Sequence, residues 1–74
     1  MNDYLLQTLT ARYEAEIQDA KYKIKAIEEH NMVIPEHTDI TGEVDKLLQK
    51  ISSAEDKMAV IRRHYGQKEA KVVL

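Results

Sequence analysis

Apolar residues recur along the first half of the chain at Leu6, Leu9, Tyr13, Ile17, Ala20, Ile24 and Ile27. Spacings of three and four place them on one stripe of an α-helix. Asn2 offers an N-cap oxygen and Asp3 a first-turn carboxylate suited to the helix dipole. No Gly or Pro interrupts the stretch before Pro35, so the pattern predicts one helix over about 3–31.

The second half is stricter. Ile40, Val44, Leu47, Ile51, Ala54, Met58, Ile61 and Tyr65 follow alternating spacings of four and three without a miss, the seam of a heptad repeat. Thr38, Asp39 and Thr41 all carry cap-capable oxygens, and Gly42 lowers helix propensity in the first turns. Arg62, Arg63 and His64 suit a C-terminal turn, with Gly66 as the expected C-cap. Helix two is therefore expected over about 39–65, followed by a tail, 66–74, that could extend it as frayed helix.

Pro35 disfavours a helical Ile34, so the chain turns within 32–38. Two helices of roughly 40 Å joined by a short connection fold back as an antiparallel pair. The expected fold is all-α: one domain over 1–74, a coiled-coil helical hairpin.

A turn centred on residues 35 and 36 pairs positions whose numbers sum to 71: Leu6/Tyr65, Thr10/Ile61, Tyr13/Met58, Ile17/Ala54, Ala20/Ile51, Ile24/Leu47, Ile27/Val44 and Asn31/Ile40. Every seam position finds a partner, and at the centre each alanine faces an isoleucine, as interdigitated cores require. Flanking charges do not decide the orientation. Glu16 falls near Lys57 and His30 near Glu43, but Lys23 falls near Lys50 and Glu14 near Glu55.

Composition turns this shape toward assembly. A chain of 74 residues without cysteine cannot use disulfides, and without Trp or Phe its core rests on aliphatics, Met and four Tyr, so oligomerisation is expected as support. Leu5, Leu9 and Leu48 widen the apolar surface beside the seam and are expected on the side that joins two hairpins into a dimeric four-helix bundle. Tyr4, Ala11, Ala15, Tyr22 and Ala26 form a second strip behind helix one, available to a copy or to a protein partner.

Chemistry finds little foothold. His30 and His37 flank the turn with Glu28, Glu29 and Glu36 nearby, but Ile27 stands three before His30, where a helical metal ligand would be needed. No metal or other cofactor is expected. Gly-rich phosphate loops, a cysteine nucleophile and a convergent His/Asp/Ser set are absent, and no enzyme is expected.

The net charge of -2 gives no global attraction to nucleic acid, although Lys57, Arg62, Arg63, His64, Lys68 and Lys71 make the C-terminal segment locally basic. Its simplest role is to complement the helix dipole. Met1 is followed by no signal-peptide pattern, and the apolar runs Met32-Val33-Ile34 and Val72-Val73-Leu74 are too short to span a bilayer, so a cytoplasmic location is expected.

The expected function is a small non-catalytic assembly or adaptor protein, of the kind bacteria and phages encode as accessory proteins. It acts by helix–helix self-association as a homodimer or higher homo-oligomer, and by binding a protein. The alternatives are a dimeric RNA-binding regulator using the basic end, whose architecture, without any shared motif, resembles the plasmid copy-control proteins of the Rop type, and an inhibitor of a partner enzyme acting through the Tyr/Ala strip.

Overall fold

In a computed structural model that describes residues 1–30 and 39–66, the chain forms α1 (Asp3–His30) and α2 (Ile40–His64), packed against each other. The turn expected at 32–38, the Asn31/Ile40 pairing and the tail beyond Gly66 lie outside the described residues. Nine residues join the helices and reach at most about 30 Å, less than the roughly 40 Å needed to return to the start of α1, so only an antiparallel hairpin is open to the chain.

Both N-termini are capped by side chains. The Leu5 N–H donates to Asn2 Oδ1 at 2.8 Å. Asp39 settles the threefold choice at the start of α2: its Oδ1 accepts from the Gly42 N–H at 3.0 Å and from Thr41 Oγ1 at 3.2 Å. Each bond satisfies an otherwise orphaned first-turn donor or anchors the carboxylate that does so. Gly42 is spatially explained by that cap, because a Cβ at this position would lie 2.7 Å from Asp39 Cγ, inside contact distance.

The other end departs from expectation. Tyr65, not Gly66, is the C-cap, with φ -132° and its N–H donating to the Ile61 carbonyl at 2.7 Å. Gly66 is not in the left-handed region, and among the described residues an added Cβ would meet Arg62 Cα and the Ile61 carbonyl oxygen at 3.5 Å and the Arg62 carbonyl oxygen at 4.0 Å. Tyr65 thus stands just past the last helical residue of α2. It is 48% exposed, its ring edge-on to His64 with centroids 6.4 Å apart.

The interface follows the heptad positions. Leu6, Thr10, Tyr13, Ile17, Ile24 and Ile27 of α1 are half-buried, as are Ile40, Val44, Leu47, Ile51, Met58 and Ile61 of α2. Ala20 and Ala54 are the two fully enclosed residues among those described, at 0% and 1% exposure. Small side chains are the ones a two-helix layer can enclose completely, while the larger seam residues around them keep one flank in water.

Charge does not fix the orientation. The ion pairs among the described residues all lie within one helix: Arg12–Glu16 at 3.5 Å, Lys23–Asp19 at 3.0 Å, Lys25–Glu29 at 3.8 Å and Lys46–Glu43 at 3.6 Å. The cross-helix Glu16–Lys57 pair read from the sequence does not form, because Glu16 turns to Arg12 and Lys57 reaches Tyr13. Exposed pairs of this spacing contribute only about 0.3–0.5 kcal/mol each, which leaves the apolar seam as the main cohesive element.

Candidate functional site

No large side chain is fully buried among the described residues, and seven large apolar ones are exposed: Met1, Tyr4, Leu5, Tyr22, Leu48, Val60 and Tyr65. Five of the seven, Met1, Tyr4, Leu5, Val60 and Tyr65, sit at the end of the hairpin away from the turn. An interaction surface is therefore the feature most in need of explanation.

Its layout differs from the sequence reading. At about 100° per residue, Leu5 and Leu9 lie on the side of the α1 seam that also holds Glu16 and Lys23. Leu48 precedes Gln49 and follows the seam residue Leu47, which puts it on the opposite flank of its own stripe from Lys50 and Lys57. Because α2 runs antiparallel, the flank holding Lys50 and Lys57 is the one beside Leu9. Leu9 and Leu48 thus occupy opposite edges of the hairpin and cannot together form one joining side. The edges also differ in depth: Leu9 is half-buried, whereas Leu48 is 52% exposed.

Val60, 42% exposed, belongs to neither strip of the apolar pattern. It stands on the Leu9 edge at nearly the same height, since their numbers sum to 69, close to the 71 of facing pairs. The signal that would have found it is height in the folded hairpin; periodicity along one helix passes over a single valine beside Ala59.

Behind α1, Tyr4, Ala11, Ala15 and Tyr22 are exposed, while Ala26 near the turn is half-buried and only partly available. The basic residues of α2 do not converge. Arg62, Arg63 and His64 are consecutive and fan around the helix at about 100° intervals, and the Lys57 ammonium lies 5.4 Å from the Tyr13 ring centroid. Lys68 and Lys71 lie outside the described residues, as do His37 and the Val72–Leu74 run. Among the described residues no group of three or more His, Asp or Glu is placed to hold a metal ion, and no helix is long and apolar enough to cross a membrane. No family model, curated protein or solved structure matches the chain.

Proposed function

We propose that the chain is a non-catalytic assembly module that acts by associating with copies of itself, closing a dimeric four-helix bundle, and by offering the back of α1 to another protein. A cytoplasmic setting belongs to the same proposal. One observation carries it: the hairpin fully encloses only Ala20 and Ala54 among the described residues, leaving every larger seam side chain partly wet. Two helices can bury one stripe each on a single side, whereas packing a second pair over that layer encloses residues such as Leu9, Ile17 and Ile51 from a further direction.

At about 25 cal/mol per Å² of apolar surface, completing the burial of several half-exposed aliphatic side chains contributes several kcal/mol, comparable to the whole stability of a small domain. Folding and association are then coupled, and the apparent stability rises with protein concentration. Sedimentation equilibrium across micromolar concentrations tests the reading. The expected result is a reversible dimer, and a strict monomer that remains fully helical would overturn it.

A further inference from the structure

We infer that the second copy sits on the edge that carries Leu5, Leu9 and Val60, with the two hairpins side by side about a two-fold axis parallel to the helices. The inference rests on the self-association reading and adds the face, the symmetry and the contacts.

Three observations select this edge. The first is apolar content: Leu5 is 46% exposed and Val60 42%, with Leu9 half-buried between them, whereas the opposite edge offers Leu48 apart from the other large apolar residues. The second is charge. Lys50 and Lys57 of α2 stand on this edge with no carboxylate within 4.0 Å among the described residues, while α1 presents Glu16 and Asp19 there, which pair only with Arg12 and Lys23 of their own helix in exposed contacts that a second copy could exchange.

The third is height. A two-fold axis along the hairpin preserves height and sets α1 of one copy beside α2 of the other, antiparallel. Residues of equal height have numbers summing to about 71, and across such an axis Leu9 meets Val60 of the second copy (69), Glu16 meets Lys57 (73) and Asp19 meets Lys50 (69). Lys23 also comes level with Lys46 (69) and Lys50 (73) of the second copy, like charges that offset part of this attraction, although Lys23 and Lys46 each keep a carboxylate of their own helix, Asp19 at 3.0 Å and Glu43 at 3.6 Å.

A two-fold axis perpendicular to the hairpin fits poorly. Placed at mid-length, it would bring Leu5 and Leu9 against the Lys25 and Glu29 region of α1 near the turn. With the parallel axis every helix is antiparallel to both neighbours, so the dipoles oppose favourably. The Tyr4, Ala11, Ala15 and Tyr22 face remains outside the bundle.

The test compares full-length variants by sedimentation, with far-UV circular dichroism on the same samples. Val60→Glu, at an already exposed site, should weaken the dimer by on the order of ten-fold or more with helicity intact, and Leu48→Glu should leave it unchanged. Glu16→Lys should weaken the dimer, and combining it with Lys57→Glu should restore it. The chain has no cysteine, so mixing the single variants Leu9→Cys and Val60→Cys under mild oxidation should give the mixed disulfide dimer in preference to either symmetric one.

A wild type that dimerises but is dissociated by Leu48→Glu and not by Val60→Glu overturns the edge and leaves the assembly reading standing. Preferential Leu9→Cys homodimers overturn the parallel axis alone. A monomeric wild type overturns both readings.

Discussion

The Lys57 ammonium lies 5.4 Å from the centroid of the Tyr13 ring, a polar contact from α2 to α1 across the seam. It also reports the register, since Lys57 adjoins Met58, the residue whose number completes 71 with Tyr13. The ammonium stands over the ring while the lysine as a whole remains exposed. A cation–π contact at such an exposed place contributes about 0.5–1 kcal/mol. In a double-mutant cycle of Lys57→Met and Tyr13→Leu, read by urea denaturation at one fixed protein concentration, the coupling should fall in that range. Simple additivity would show that the two side chains are only neighbours.

Ala20 and Ala54 are the residues the two helices enclose completely among those described. Enlarging either one forces the helices apart or drives neighbours off their rotamers. Ala20→Leu and Ala54→Leu should each destabilise the chain by about 1–3 kcal/mol. Ala15→Leu, on the exposed back of α1, should change stability by no more than about 0.5 kcal/mol. Equal effects at all three positions would mean that the alanines in the seam are not contact points.

The start of α2 joins two residues with opposing demands. Asp39→Ala removes the cap and should cost about 0.5–2 kcal/mol. Gly42→Ala gains up to about 1 kcal/mol of helix propensity but sets a methyl against the capping carboxylate. The substitution should therefore help little or do harm in the wild type, and should stabilise the chain in the Asp39→Ala background. Thermal unfolding of the four variants checks this, and an equal gain in both backgrounds would show that Asp39 and Gly42 do not conflict.

The two-helix layout was legible because it needs only periodicity and a turn. The seam runs without a miss from Ile40 to Ile61, a proline at position 35 disfavours one continuous rod, and Asn2 supplies its cap where expected. Chemistry local to the chain ends was less legible. Three cap candidates at 38–41 differ only in which oxygen reaches the Gly42 N–H, a matter of backbone geometry. Tyr65 satisfies the heptad spacing and is still 48% exposed, because spacing has its full meaning only while the helix continues and α2 ends at His64. The edges were less legible for a related reason. Leu9 and Leu48 both stand beside a seam, but reversing α2 exchanges its flanks, so adjacency to the stripe does not identify a shared side.

The basic end of α2 carries the last prediction. Arg62, Arg63 and His64 point in three directions, and a phosphate backbone needs cations aligned along one track. Any retention on immobilised RNA should therefore be weak, vanish at moderate salt and differ little between the wild type and Arg62→Ala/Arg63→Ala. A dedicated site would behave differently. Each neutralised phosphate adds close to one unit to the slope of log affinity against log salt, slightly less for single strands, so removing two engaged arginines would flatten the slope by nearly two. Measuring that slope for both proteins separates diffuse attraction from a built surface. A flattening of that size would promote RNA recognition over the assembly role.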